Sequence, residues 1–257
     1  MYVTNPTTPL VAASFIDHSE TAIPIELVKT TNFEERQALL DDEQKASLKQ
    51  QRFTASKGQI AWLKHGEISK VLVGWDGKDD LATLGGLSMS LMEGDYCLED
   101  TVSDLQLIGW GMGSYQFNRY KKASRSPARL VMPKNAKTSF VSNSVRAVAL
   151  CRDLINTPAQ DMNPSSLEAK TRDMAGIFGA SIDVTLGDDL LKAGCGAIHA
   201  VGRAAEDAPR LIDLSWGDTA APKITIVGKG VTFDSGGLDI KPGSAMRMMK
   251  KDMGGAA

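Results

Sequence analysis

Short apolar runs, several rich in β-branched residues, alternate along this chain with longer charged stretches of helical period. That alternation constrains the fold more than any other feature. Elements in this order pack as a three-layer α/β domain, with helices covering a sheet. In the first half, residues 10–16 and 25–29 read as strands, with Pro24 just ahead of the second, where it removes no interior ladder donor. Residues 32–51 read as a charged amphipathic helix. Residues 59–64 and 70–75 read as strands joined by a turn at Lys64, His65, Gly66 and Glu67. Residues 79–92 have helical period, with Leu81, Leu84 and Leu91 on one face, although Gly85 and Gly86 weaken that helix. Residues 104–120 read as a further helix, and 129–132 as a last strand before a polar hinge.

Composition narrows the function classes. The chain has 257 residues, 42% hydrophobic and 23% charged, enough for one large or two ordinary soluble domains. A net charge of −2 supplies no global field for an anionic polymer, so neither nucleic acid nor a membrane surface is an expected partner. Arg119, Lys121, Lys122, Arg125 and Arg129 form a local basic patch, but its Ser-Pro chemistry reads as a solvated connection. Cys97, Cys151 and Cys195 are widely spaced and read as reduced core thiols in a cytoplasmic protein. The apolar run at residues 10–16 is too short to span a bilayer, and no basic residue precedes it. No phosphate-cradling glycine loop follows a strand in this half. Trp62, Trp75 and Trp110 read as packing residues.

The second half opens with a helix over residues 142–155 that stops before Asn156, Thr157 and Pro158. Arg152, Asp153 and Asn156 read as structural there. Residues 165–178 are helical, with Ser165 or Ser166 as the cap. Strands are expected at 181–186, 197–201, 210–215 and 223–227, with a short helix at 188–193. His199 falls in the expected 197–201 strand, and with His18 and His65 it is excluded from any site.

Chemistry concentrates in the last thirty or so residues, where Lys229, Asp234, Lys241 and Asp252 are separated by five, seven and eleven positions. Gly228 and Gly230 bracket Lys229, and Gly236 and Gly237 follow Asp234, so the backbone must bend sharply or approach a neighbour closely. From Ser244, read as the N-cap, the pattern turns helical, with Met246, Met249 and Met253 at helical spacing. Carboxylates gathered on rigid elements suit divalent cations, and a lysine joins them only as the neutral amine, a form that a nearby cation favours. A second, protonated lysine polarises a carbonyl. On spacing alone the same four charges equally fit ordinary surface loops, and no His-Glu-x-x-His or Cys-x-x-Cys pattern decides between the two.

The blocks VGKGVTFDSGG, IKPG and KKDMGGAA, in that order, resemble the signature of the cytosol (leucyl) aminopeptidase family of two-metal peptidases. RDLINTPA followed by MNP, then GAIHAVGRA and PRLIDLSW, resemble further blocks of the same family. The resemblance implies a macrodomain-like three-layer α/β domain over residues 1–135, a connecting helix and linker over 136–160, and the first part of an α/β zinc-peptidase-like catalytic domain over 161–257. It implies Lys229, Asp234 and Asp252 as metal ligands, with Asp234 bridging two ions. Lys241 becomes the lysine that polarises the scissile carbonyl, and Met249 a wall of the substrate pocket.

The implied cofactors are two divalent ions, zinc or manganese, that activate water, with bicarbonate held by an arginine as base. The implied partners are peptides with leucine-like first residues and further copies of the chain, a hexamer. The family places two more acidic ligands and that arginine in an Asn-Thr-Asp-Ala-Glu-Gly-Arg segment. The sequence stops at Ala257 ahead of any such segment. The expectation is therefore the front part of an aminopeptidase, or else a non-catalytic fragment with a binding or assembly role.

Overall fold

The computed structural model describes residues 14–65 and 67–257. The chain divides into two compact units, residues 1–150 and 151–257.

In the first unit, strands β1 (Phe15–Ile16), β2 (Ile23–Lys29), β3 (Ile60–His65), β4 (Glu67–Trp75), β5 (Asp95–Leu98) and β6 (Arg129–Val131) form one sheet among the described residues. Their order is β1-β6-β5-β2-β4-β3, and every pairing is parallel except β3 with β4. Alternation along the strands sends side chains to both faces. Ile25, Leu27, Val71 and Val73 join one core with Leu84, Leu107, Trp110, Val141 and Val145. Val28, Ala61, Leu63 and Leu72 join the other core with Leu40, Leu48 and Phe53. Helices therefore cover both faces, and the expected three-layer α/β architecture is present.

The first face carries α3 (Ala82–Gly85), α4 (Leu87–Ser90), α5 (Asp104–Gly113) and the start of α6 (Thr138–Asn156). The second carries α1 (Phe33–Ala38) and α2 (Asp42–Gln50). Of the strand expected at 10–16, only the last residues fall within the described part, where β1 lies. The strand β5 was not legible in the sequence.

Local chemistry sets the helix boundaries. The expected 32–51 helix is split because Asp41 caps α2: its carboxylate accepts from Gln44 N at 2.7 Å, while Gln44 returns a bond to Asp41 N. The expected 79–92 helix breaks at Gly86 into α3 and α4. The expected 104–120 helix opens on a Ser103–Gln106 capping box and ends at Gly113. Past it, Arg125 donates to the carbonyls of Met89 and Leu91 at 3.1 and 2.6 Å, and Arg129 pairs with Asp95. These two members of the basic patch thus tie a connecting segment down.

In the second unit, α6 runs out at Asn156, with Thr157 Oγ1 bonded to the Asp153 carbonyl at 2.7 Å. Next come α7 (Pro164–Phe178), β7 (Ser181–Leu186), α8 (Asp189–Lys192), α9 (Gly196–Gly202) and β8 (Arg210–Ser215), with β7 and β8 antiparallel. The cap of α7 is Asn163, not a serine: its Oδ1 accepts from Ser166 N at 2.9 Å, and Pro164 takes the first helical position.

Two expected strands are absent. Residues 197–201 lie in α9, because an alanine-rich run with Ile198 and Val201 three apart has helical as well as apolar character, and a short run does not distinguish the two. There His199 Nε2 contacts Asp188 Oδ1 at 3.0 Å. Residues 223–227 have no regular structure, and Ile224, Ile226 and Val227 are 86%, 91% and 88% exposed. β-branched residues favour a strand only where another strand pairs with them, and among the described residues none does. Cys97, Cys151 and Cys195 are free and partly buried. Among the described residues no helix is long and apolar enough to cross a membrane.

Candidate metal centre in the C-terminal segment

The residues that could carry chemistry lie between Gly228 and Asp252, in a largely irregular run punctuated by α10 (Gly243–Met246) and a 3₁₀ turn, Met249–Lys251. The helix expected from Ser244 is thus shorter than its pattern indicates. It starts after Pro242, which leaves Ser244 inside the first turn with no capping role.

Two stretches meet through glycine. Gly228 lies so close to the chain end that a Cβ there would come within 2.1 Å of the Gly255 carbonyl oxygen. This close approach brings the backbone carrying Lys229 against the segment that follows Asp252. In the same segment Met249 and Met253 are buried, and Lys250 Nζ donates to the Asn156 carbonyl at 3.0 Å. The latter bond ties the segment to the end of α6. No sequence pattern marks this anchor, because it joins residues 94 positions apart.

Asp234 has both oxygens engaged. Its Oδ1 accepts from the backbone N–H of Gly236 at 2.9 Å, and its Oδ2 accepts from Lys241. The Lys241 hydrogen bond, the Gly236 N–H and the charges of Lys241 and Lys229 hold the Asp234 carboxyl below its usual range. Asp252, at the end of the 3₁₀ turn, accepts from Lys251 at 3.1 Å. That bond lowers its pKa first, and the charges of Lys251, Lys229 and Lys241 add to it. Lys229 and Lys241 thus both act electrostatically on Asp234 and on Asp252, and among these four residues the one direct contact between described side chains is that of Lys241 with Asp234.

The fifth expected residue, Met249, is 8% exposed and packs within the unit. Gly236 was foreseen as a bend but not as a hydrogen-bond donor. An aspartate followed two residues later by glycine is the available signal, since such side chains accept from the N–H two positions on.

A divalent cation would find two carboxylates and an amine here, with Asp234 and Asp252 side chains 45% and 33% exposed. The set fits in kind. In number it falls short of a two-ion centre, because among the described residues no three His, Cys, Asp or Glu side chains gather.

Comparison with known proteins places both units in one context. Residues 149–257 match the cytosol aminopeptidase family, catalytic domain, and residues 23–133 match the M17 aminopeptidase N-terminal domain. A probable cytosol aminopeptidase of Corynebacterium diphtheriae is 38% identical over 160 residues, which is 58% of this chain and 32% of that protein. One from a Picosynechococcus species is 33% identical over 189 residues, 70% of this chain and 38% of the relative. The crystal structure of the Coxiella burnetii cytosol aminopeptidase superposes with a TM-score of 0.87 at 38% identity, covering 95% of this chain and 55% of that one. The bottromycin maturation enzyme BotP in complex with Mn shares the fold, with a TM-score of 0.65 at 23% identity over 95% of this chain and 54% of that one. The chain thus spans about a third of the length of the curated relatives it matches.

Proposed function

This chain belongs to the cytosol aminopeptidase family, and from that membership we propose that the protein is a metal-dependent aminopeptidase removing leucine-like N-terminal residues from peptides. What supports this reading is that Lys229, Asp234, Lys241 and Asp252 all fall within the stretch matching the family's catalytic domain, with Lys241 bonded to Asp234. In it, Lys229 as the neutral amine, Asp234 and Asp252 would hold the divalent ions, with Asp234 shared between them. When bound, two zinc or manganese ions supply a Lewis acid and a water whose pKa is lowered. Lys241, left protonated, donates to the carbonyl oxygen of the scissile bond as negative charge develops on it. Met249 would line the pocket for the first side chain, and its apolar thioether suits leucine-like groups.

Zinc and manganese both fit, since carboxylate and amine ligands do not sharply separate them. Bicarbonate as the base, a hexameric assembly and a cytosolic location complete the proposal by analogy with the family.

A second reading, a non-catalytic role in binding or assembly, is favoured by one observation: among the described residues no three His, Cys, Asp or Glu side chains gather. One experiment separates the two. Purified protein of verified intact mass is loaded with Mn²⁺ or Zn²⁺ and assayed for leucine release from a leucyl peptide, beside Asp234→Ala. Release that is lost on chelation, restored by metal and absent from the variant supports the aminopeptidase. No release, with equal metal content in both proteins, supports the second reading.

A further inference from the structure

Asp234 and Lys241 are held by a loop that closes on itself, since Lys241 N donates to the Ser235 carbonyl at 2.9 Å. At its centre are two consecutive glycines with left-handed backbone, Gly236 at φ +88° and Gly237 at φ +66°. They differ in their surroundings. A Cβ on Gly237 would meet nothing within 4 Å, whereas one on Gly236 would lie 2.2 Å from the Asp239 carbonyl oxygen and 3.1 Å from Lys241 Cγ. The first of those neighbours is backbone and cannot swing aside. The same Gly236 also donates its N–H to Asp234 Oδ1 at 2.9 Å. One residue thus touches both functional side chains, gripping the carboxylate through its N–H and leaving room for the lysine through its missing side chain.

We infer that Gly236 is a positioning residue that fixes Asp234 and Lys241 relative to each other. The inference rests on the reading of Asp234 as a metal ligand and deepens it. Any side chain at Gly236 displaces the 239–241 segment and rotates the N–H off the carboxylate. The Asp234 oxygens are then presented at a different angle, and Lys241 moves away from the carbonyl it polarises. Gly237 supplies the internal comparison, because a side chain there meets the same left-handed strain with no collision.

The test compares Gly236→Ala, Gly237→Ala and Asp234→Ala in the full-length protein. It measures Mn²⁺ affinity by calorimetric titration of the metal-stripped protein, kcat and KM on a leucyl peptide, and the thermal midpoint. Gly236→Ala is expected to weaken Mn²⁺ binding by about 10- to 100-fold, as loss of a group orienting a metal ligand does, and to lower kcat more than it raises KM. Gly237→Ala is expected to lower the thermal midpoint while keeping Mn²⁺ affinity within about threefold, since its cost is backbone strain alone.

If Asp234→Ala loses Mn²⁺ but Gly236→Ala binds it as Gly237→Ala does, the positioning role is overturned and the ligand reading stands. If Asp234→Ala binds Mn²⁺ like the parent, the ligand reading itself fails. If Gly236→Ala yields no folded protein while Gly237→Ala folds, Gly236 serves the stability of the unit, and the positioning role is again overturned.

Discussion

The ammonium of Lys241 donates to Oδ2 of Asp234 across seven residues of chain. The pair has a consequence that separates the two roles, because the residues touch and yet are proposed to do different work. Asp234→Ala removes a ligand, so metal analysis of the dialysed protein is expected to show a loss of bound Mn²⁺ or Zn²⁺. Lys241→Ala removes a donor to the developing oxyanion and no ligand. Its metal content is expected to match the parent while kcat falls by about a hundredfold to a thousandfold. A Lys241→Ala protein with full turnover would remove Lys241 from the mechanism.

In the first unit, Glu26 accepts from both Arg36 and Lys70, and Lys70 reaches on to Glu99. Burial alone would raise the Glu26 pKa, but the hydrogen bonds from Arg36 and Lys70 outweigh it, and the net direction is down. A carboxylate lowered on folding contributes stability that is present above its unfolded pKa and lost as pH falls through the folded value. Glu26→Gln is therefore expected to destabilise the protein at pH 7 by about 1.5–3 kcal/mol, the range for hydrogen bonds to charged groups. The gap from the parent should close below about pH 4, where the ordinary carboxylate protonates. Urea unfolding at pH 7 and pH 3 checks both the size and the sign.

Asp100 runs the other way. Burial raises its pKa despite the bond from Leu27 N at 2.7 Å, and the charges of Glu26 and Glu99 add to the rise. A raised carboxyl contributes stability that is present below its unfolded pKa and lost as pH rises through the folded value. Asparagine keeps an oxygen for the Leu27 N–H and removes the charge. Asp100→Asn is thus expected to hold or raise the thermal midpoint at pH 7, with the difference vanishing in acid. A lower midpoint at pH 7 would show that the ionised form is the one the fold favours.

How legible each part was follows from how local its cause is. The three-layer first unit was readable because strand alternation in residues such as Ile25, Leu27 and Val28 is written into two or three positions. Helix ends were less so. Asp41 and Asn163 are both cap residues, yet each lies beside other candidates, and which one caps depends on where the chain turns. The motif blocks single out the four charged residues of the candidate centre. What holds them was not legible, since the Lys250 bond to Asn156 and the close approach of Gly228 to Gly255 join positions with no sequence pattern in common. The strand expected at 223–227 failed for a related reason: propensity is local, but a strand needs a partner.

That failure gives the last expectation. Ile224, Ile226 and Val227 are each more than 85% exposed, so a polar group at Ile226 leaves no cavity and buries no charge. Ile226→Asp is expected to change the unfolding free energy of the 257-residue chain by less than about 0.5 kcal/mol, the ordinary surface range. Leu190→Ala in the same unit, at a fully buried position, is expected to cost about 2–5 kcal/mol. Were the 223–227 run a buried strand, Ile226→Asp would fall with Leu190→Ala or beyond it, because an unpaired carboxylate would enter an apolar layer. Urea midpoints of the two variants beside the parent decide whether propensity or pairing governs this stretch.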